Sequence, residues 1–223
     1  FLQRVFGAKW FSNDVELEAG CGIVPIEYRN KSLIHAIQWA VGLEWFLMVR
    51  DPWRVVLTTD HPNGGSFLAY PQIIRWLMDR TSREDVLKTL PPRVRERTAL
   101  AGLDREYSLA EICIITRAGP ARILGLKNKG HLGPGADADI TIYTPHANPQ
   151  TMFELPRHVI QGGRIVVEAG ELRRPVDGKT LCVAPEFDRA AEAHIADWFE
   201  ETYSVRLRNY VIDESCLSGR VPA

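Results

Sequence analysis

The chain has 223 residues, of which 45% are hydrophobic, and carries 27 Lys and Arg against 28 Asp and Glu. This composition can form a buried core and excludes a disordered chain. The balanced charge gives no electrostatic basis for nucleic acid or an anionic membrane as the main partner, and no apolar run is long enough to span a bilayer. The four cysteines lie far apart without a C-x-x-C pair, which favours a reducing, cytoplasmic compartment in which they serve as packing residues.

The first part of the chain predicts one apolar helix and one buried strand. Residues 23–28 form a candidate edge strand that contains a proline. Ser32 is expected to cap a helix over residues 32–49, and its apolar residues occur almost all round, which predicts heavy burial. The β-branched run at 55–59 lacks polar alternation, so we expect a parallel strand covered on both faces.

Helices and then strands follow along the chain. The predicted helices cover 71–80, 83–89, 92–100 and 108–117, with a capping box at Ser108 and Glu111 opening the last of them and a possible short helix over 118–125. After residue 130, short apolar runs at 138–143, 159–160 and 164–168 predict strands, with Gly162 and Gly163 forming a hairpin turn. The tail returns to a helix over 186–200.

The loop that follows the predicted strand is the most informative stretch for chemistry. Asp60 comes at the carboxyl end of that strand, where parallel α/β folds place catalytic groups. A carboxylate there can ligate a divalent metal or accept a proton from water. His61 is a candidate ligand or hydrogen-bond partner, and the Gly64–Gly65 pair lets the backbone approach a ligand closely. A plain turn, in which Asp60 only satisfies backbone N–H groups, is an equally good interpretation of the spacing.

The start of the chain and its element order give one further expectation. The sequence begins at Phe1 without a methionine, and residues 1–4 have no signal-peptide character. The predicted parallel strand at 55–59 also has no partner strand in the chain. We therefore expect the chain to be the C-terminal part of a longer protein and to be inactive by itself.

Three motifs in order resemble the amidohydrolase superfamily. Residues 116–126, with the run A-R-I-L-G-L, are similar to the family's N-P-A-R-x-L-G-L helix, although Gly119 stands where the family has Asn. Residues 129–140 resemble its K-G-x-L-x-x-G-x-D-A-D segment, and residues 162–172 resemble its last sandwich hairpin. A narrower resemblance joins residues 57–65, T-T-D-H-P-N-G-G with the preceding Leu, to the amidohydrolase-type subunits of formylmethanofuran dehydrogenases and formyltransferase/hydrolase complexes, although Ser66 stands where we expect Pro.

The resemblance implies an α/β fold in three parts. Residues 1–127 would be the C-terminal part of an amidohydrolase-type β/α (TIM-like) barrel. Residues 128–184 would be part of a small β-sandwich, and residues 185–223 a C-terminal helical extension.

The resemblance also implies a chemistry and partners. Family members use a binuclear zinc centre, and Asp60 matches the aspartate that ends their last barrel strand, as metal ligand and general base. The remaining ligands would precede this chain. His61, Asn63, Gly64 and Gly65 would contact the substrate. The implied reaction is hydrolysis, or formation, of the formamide bond of N-formylmethanofuran in one-carbon metabolism, with methanofuran as carrier and the other subunits of the complex as partners.

Two other functions agree with the same residues. The protein could be a catalytically degenerate scaffold that binds its partner subunits through the apolar helix and the charged helices. It could also be another amidohydrolase acting on a cyclic amide, which the sandwich motifs permit but the loop at residues 57–65 argues against.

Overall fold

The computed structural model describes residues 2–4, 10–12, 28–29, 31–61, 64–174, 178, 180–182, 186–210 and 220–222. The chain divides into two compact units. Phe1–Ile23 and Gly178–Pro222 make up the smaller, and Val24–Asp177 makes up nearly all of the larger. The predicted edge strand at 23–28 lies almost wholly outside the described residues.

Eight helices are described in chain order. They are α1 (Leu33–Met48), α2 (Tyr70–Met78), α3 (Arg80–Thr89), α4 (Pro92–Arg95), α5 (Leu109–Cys113), α6 (Gly119–Ile123), α7 (Pro149–Glu154) and α8 (Ala190–Thr202). A π-helical turn, Ile114–Ala118, joins α5 to α6. Short 3₁₀ turns lie at Pro52–Arg54, Phe67–Ala69, Leu100–Gly102 and Leu207–Tyr210. No described helix is long and apolar enough to cross a membrane.

The described strands form three small sheets. In chain order the strands are β1 (Leu2–Arg4), β2 (Trp10–Ser12), β3 (Ile140–Ile142), β4 (His158–Gln161), β5 (Arg164–Glu168), β6 (Glu171–Leu172), β7 (Thr180–Cys182) and β8 (Arg220–Pro222). Within the smaller unit β1 pairs antiparallel with β2, and β7 pairs parallel with β8. Within the larger unit β3 to β6 form an antiparallel sheet in sequence order.

The helix α1 has two different faces. Its first turn is capped as predicted, because the Ser32 side chain accepts from the His35 backbone N–H. One face is buried through Ala36, Ala40, Leu43 and Leu47. The prediction of burial all round is wrong, since the other face leaves its large apolar side chains 45–67% exposed, namely Ile34, Ile37, Val41, Trp45 and Met48. A uniformly apolar pattern does not indicate which face has a partner.

The core of the larger unit lies where α1, α2 and α3 meet the segment around α5. Its most deeply buried side chains are Leu77, Ile112 and Ile115, which are 0–1% exposed. Burying side chains of this size stabilises the fold by about 1.5–3 kcal/mol each. Phe153 of α7, a helix that was not predicted from the sequence, packs partly buried against this core. The signal for it was Asn148 followed by Pro149, since the Asn148 side chain accepts from the Gln150 N–H at 2.9 Å.

Two helix boundaries differ from prediction for identifiable reasons. The helix expected over 71–80 ends at Met78, because Asp79 leaves the helical region and its side chain accepts from the Ser82 N–H at 3.0 Å. Asp79 thereby caps α3, which starts at Arg80 rather than at residue 83. The helix expected over 92–100 ends at Arg95.

Glu44 of α1 partly explains why the helix predicted over 92–100 ends at Arg95. Its Oε1 accepts from the Ala99 N–H at 2.6 Å and from the Thr98 hydroxyl. The Ala99 N–H is therefore bonded to a side chain of another helix instead of a carbonyl four residues earlier, as an α-helix requires. This long-range contact is invisible to a local pattern.

A polar network joins the end of α1 to the start of α5. The Arg105 guanidinium donates to the carbonyls of Phe46 and Val49 and to Glu111 Oε1, the last at 2.8 Å. The predicted capping box is confirmed, since the Glu111 N–H donates to Ser108 Oγ and the Ser108 N–H to Glu111 Oε2. Glu111 thus serves both the helix cap and the ion pair.

Replacing Glu111 with Gln should make the protein less sensitive to acid. Burial alone would raise the pKa of Glu111, but the hydrogen bonds from Ser108 and Arg105 outweigh it and lower the pKa below its usual range. A lowered folded-state pKa adds stability above the unfolded value, which is lost as the pH falls through the folded value. We expect Glu111→Gln to cost about 1–2 kcal/mol at pH 7 and progressively less below about pH 4.

Urea unfolding of both forms between pH 7 and pH 3 measures this difference. Glu96→Gln, at the exposed residue that follows α4, serves as the control and should stay within about 0.5 kcal/mol throughout. A Glu111→Gln penalty that does not change with pH would contradict the assignment.

The hairpin predicted at Gly162 and Gly163 is confirmed. Both residues have positive φ, 55° and 76°, as a two-residue type I′ turn between β4 and β5 requires. Asp139 supports the turn by accepting from the Gly162 N–H at 2.8 Å. The four-stranded sheet agrees with the predicted β-structure after residue 130, while the sandwich stays a prediction.

Two predictions outside this sheet are modified. The tail helix is present as α8, shifted to Ala190–Thr202. Cys113, predicted as a packing residue, is exposed. It occupies the solvent side of α5, opposite the core residues Ile112 and Ile115.

Candidate functional site

The site begins with the extended segment 55–59, which the structure does not form into a strand. No strand ladder includes it among the described residues, so the predicted parallel strand covered on both faces is not observed. Val55 and Leu57 are buried, whereas Thr58 is exposed. The Leu57 N–H donates to the Ile115 carbonyl at 3.0 Å. A single contact of this kind fixes the segment without completing a sheet.

Asp60 ends this segment in a strained conformation. It is exposed and has φ of 49°, in the left-handed region that few non-glycine residues adopt. Its N–H donates to Thr58 Oγ1 at 3.1 Å, and its carbonyl accepts from the Gly64 N–H at 2.7 Å. The backbone of Asp60 is therefore held on both sides, which leaves the carboxylate free of backbone capping in the described loop. Aspartate adopts this region more readily than most non-glycine residues, which fits a tight turn at this point.

Gly64 has a steric role that the sequence did not reveal. A Cβ at this position would lie 2.8 Å from Asp60 Cβ and 2.8 Å from the Thr59 carbonyl oxygen. Such distances force the turn to move. A Cβ at Gly65 would lie 3.6 Å from the same carbonyl oxygen, an ordinary contact. Gly64 thus positions Asp60, whether or not either glycine also touches a substrate.

Replacing Gly64 with Ala should therefore displace the Asp60 carboxylate. If Asp60 acts in catalysis, turnover should fall about 10²-fold, the usual cost of a misplacement near 1 Å. Steady-state rates for Gly64→Ala and for the control Gly102→Ala, where an added Cβ would meet nothing within 4 Å, measure this effect, with the control expected within about threefold of wild type. Equal losses in both variants would show that the close approach at Gly64 is not the cause.

His61 is tied to the loop rather than free. Its Nδ1 accepts from the Phe67 N–H at 3.4 Å, and its ring meets the Phe67 ring edge-on at 4.4 Å between centroids. An accepting Nδ1 leaves Nε2 as the ring nitrogen available to another molecule. The residue lies beside Asp60 in the chain and is exposed. Its role in binding substrate stays a prediction.

The structure describes only part of the remaining predicted site residues and metal ligands. Asn63 lies outside the described residues. In the described part of the chain no group of three His, Cys, Asp or Glu side chains comes together to hold a metal ion. Asp60 alone does not make a zinc site. It is one candidate ligand for the predicted binuclear centre.

A cavity of about 620 Å³ opens beside Asp60. It lies between α1 and α2, and Thr58, Thr59, Asp60, Gly64 and Gly65 form part of its wall. Its size is typical of sites for small molecules or cofactors. The α1 residues that line it are not predictable from the sequence, because a helical apolar residue gives no local signal of whether it faces a core or a cavity.

His35 is one of these wall residues. Its place on an apolar helix predicts a hydrogen-bonded core residue. It is half-buried, and its Nδ1 accepts from the Arg29 N–H at 3.0 Å. The hydrogen bond is confirmed, but the side chain faces the cavity rather than a closed core.

The sequence of this chain is similar to those of known proteins. Residues 2–167 match the sequence model of the amidohydrolase family. One Fhc subunit of the formyltransferase/hydrolase complex from Methylorubrum extorquens is 40% identical over 207 residues, which is 93% of this chain and 38% of that protein. Protein FwdA from Methanocaldococcus jannaschii is 41% identical over 233 aligned positions, covering 99% of this chain and 41% of that protein.

The fold of this chain is also similar to that of a solved structure. The crystal structure of the formyltransferase/hydrolase complex (FhcABCD) from Methylorubrum extorquens in complex with methylofuran matches with a TM-score of 0.72 and 38% identity. The match covers 89% of this chain and 38% of that chain. The chain thus spans about two fifths of the length of its curated relatives. With the family match extending over most of its residues, the chain belongs to the amidohydrolase family.

Proposed function

We propose that this chain carries the catalytic carboxylate of a hydrolase subunit that cleaves, or forms, the formamide bond of a formylated methanofuran-type carrier. The observation that carries the proposal is Asp60, exposed at the end of the 55–59 segment, held with φ of 49° and facing a cavity of ligand size. The similarity to the Fhc subunit and to FwdA supports the substrate class.

The chemistry assigned to Asp60 is general acid–base catalysis. Its carboxylate accepts a proton from a water molecule as the water oxygen attacks the formyl carbon. The C–N bond then breaks, the same proton passes to the departing nitrogen, and formate and the free amine are the products. In the direction of synthesis the same steps run backwards, and water is released.

The other loop residues support this step by position. Thr58 and Gly64 hold the Asp60 backbone from its two sides through their hydrogen bonds. His61 could donate from Nε2 to the formyl oxygen, since its Nδ1 is occupied by the Phe67 N–H. Asn63, Gly64 and Gly65 are retained as proposed substrate contacts.

Fewer observations support the proposed zinc dependence than support the role of Asp60. Among the described residues, Asp60 belongs to no group of three or more His, Cys, Asp or Glu side chains that could hold a metal ion. They do not by themselves fit a binuclear centre, so no catalytic step is derived through a metal. Zinc stays a proposal that rests on the family resemblance alone.

The proposed setting is a complex of several subunits in one-carbon metabolism. Its support is that one relative is a subunit of the formyltransferase/hydrolase complex and its solved structure contains four kinds of chain, FhcABCD. The exposed apolar face of α1 also favours the alternative of a scaffold subunit without catalysis of its own. The two proposals differ in whether Asp60 is needed for turnover.

The test is formate release from the N-formyl derivative of methylofuran by the purified native protein, with any subunits that copurify. We expect formate and the free amine in equal amounts, with a rate that depends on Asp60. Activity that is independent of Asp60 would favour the scaffold.

A further inference from the structure

The turn that joins α5 to α6 departs from α-helical geometry. Over Ile114–Ala118 the backbone is π-helical, and the Gly119 N–H at its end donates to the Ile114 carbonyl, five residues earlier. In a continuous α-helix the same N–H would donate to the Ile115 carbonyl, four residues earlier. Single π-helical turns of this kind are rare and occur frequently at functional sites.

The π turn takes the usual partner away from the Ile115 carbonyl. Its α-helical donor, the Gly119 N–H, is bonded to Ile114 instead. The residue at the π-helical spacing from Ile115 is Pro120, which has no N–H to donate. Ile115 is 0% exposed, so water does not replace these donors. A buried carbonyl in this position needs a donor from another part of the chain.

That donor is the backbone N–H of Leu57, in the segment that ends at Asp60. The Leu57 N–H donates to the Ile115 carbonyl at 3.0 Å, and the Leu57 carbonyl accepts from the Tyr70 hydroxyl at 3.5 Å. Segment 55–59 belongs to no strand ladder among the described residues. The π turn on one side and α2 on the other therefore hold the backbone three positions before Asp60.

Gly119 makes this arrangement sterically possible. A Cβ at position 119 would lie 2.8 Å from the Ile114 carbonyl oxygen, which is backbone and cannot rotate away as a side chain can. The same Cβ would lie 3.9 Å from the Val55 carbonyl oxygen, so the glycine is a neighbour of segment 55–59. The resembled family motif has Asn at this position, and an asparagine would bring the same Cβ. The departure from the motif thus accompanies the π turn.

We propose that Gly119 is a positioning residue for the reaction at Asp60. The π turn that Gly119 permits presents the Ile115 carbonyl to Leu57, and this bond sets where the Asp60 carboxylate stands relative to the substrate. The inference rests on the proposed function, because Asp60 is its reacting group. Gly119 acts through the backbone of Leu57, and no contact with substrate is assigned to it.

The test measures amide hydrogen exchange at single residues in the purified native protein, with any subunits that copurify. In Gly119→Ala we expect the Leu57 amide to exchange about tenfold faster than in wild type, which is the effect of losing about one hydrogen bond. The Tyr107 amide is the internal standard, since it makes a comparable long-range bond to the Leu77 carbonyl at 2.8 Å. Its exchange should not change. Equal acceleration of both amides would indicate general destabilisation and would overturn the inference.

Pro120→Ala perturbs the same bond without adding a Cβ at position 119. It supplies an N–H at the π-helical spacing, which competes with Leu57 for the Ile115 carbonyl, so the Leu57 amide should again exchange faster. Gly102→Ala is the matched control, because a Cβ there would meet nothing within 4 Å, and it should leave Leu57 unchanged. If Gly119→Ala does not fold, Pro120→Ala decides. A wild-type exchange rate at Leu57 in the folded variant would overturn the inference.

Steady-state kinetics then connect the bond to the reaction. We expect kcat of Gly119→Ala to fall about 10²-fold, as for a misplacement near 1 Å, with KM within about threefold of wild type. Faster Leu57 exchange in Gly119→Ala, together with turnover that does not depend on Asp60, would uphold the anchoring bond and overturn the proposed function. Asp60-dependent turnover with a wild-type kcat in Gly119→Ala, despite faster Leu57 exchange, would overturn the positioning role alone.

Discussion

Replacing Asp60 with asparagine is expected to lower formate release from the formylated carrier by about 10²- to 10⁴-fold. The change removes the group that accepts the proton of the attacking water but keeps the size of the side chain. Asparagine also adopts positive φ readily, so the turn at φ of 49° should survive. The fold and the binding of substrate should therefore remain, and the loss should appear in kcat.

The matched control for this variant is Asp51→Asn. Asp51 is also exposed, and its carboxylate accepts from the Trp53 N–H at 3.1 Å, a cap that asparagine can replace. This control should retain activity within about twofold. A wild-type rate for Asp60→Asn would eliminate Asp60 as the general base and favour the scaffold.

Replacing Arg83 with methionine is expected to destabilise the larger unit by about 3–5 kcal/mol. Arg83 is 2% exposed, and its guanidinium donates to the carbonyl oxygens of Trp76 at 2.7 Å and Arg105 at 2.8 Å. Longer bonds reach Leu77 and Leu103. Burial lowers the pKa of Arg83, yet the five donors of the planar group match these carbonyls and satisfy the end of α2. Methionine fills the volume and leaves the carbonyls without donors.

Two comparisons identify the cause of this loss. Arg83→Lys keeps a charge but not the fork of donors, so we expect it to recover less than half of the lost free energy of unfolding. Arg93→Met on the exposed surface of α4 should change stability by less than about 0.5 kcal/mol. Urea unfolding at pH 7 measures all three. An Arg83→Met loss no greater than that of Arg93→Met would show that the buried donors contribute nothing.

Local patterns in the sequence were sufficient for helices whose ends depend on nearby residues. The cap at Ser32, the capping box at Ser108 and the hairpin at Gly162 each involve partners within a few positions, and all three are confirmed. Long-range contacts were beyond such patterns. The Glu44 carboxylate accepts from the Ala99 N–H, 55 residues away in the sequence. The helix predicted over 92–100 ends at Arg95, before this contact. The domain boundaries at 127 and 184 and the barrel itself stay predictions.

The site was predictable in its chemistry and not in its shape. Asp60 and His61 could be chosen because carboxylates and imidazoles after an extended segment are typical of catalysis. The steric role of Gly64 depends on distances between atoms and gave no separate signal in the sequence.

If Asp60 is the general base, the formyl group of the carrier is cleaved beside it. The most direct measurement is a crystal structure of the Asp60→Asn protein with N-formylmethylofuran bound. We expect the formyl carbon one bridging water away from the side chain at position 60. A fully occupied carrier whose formyl group lies away from the 60–65 loop would contradict the claim.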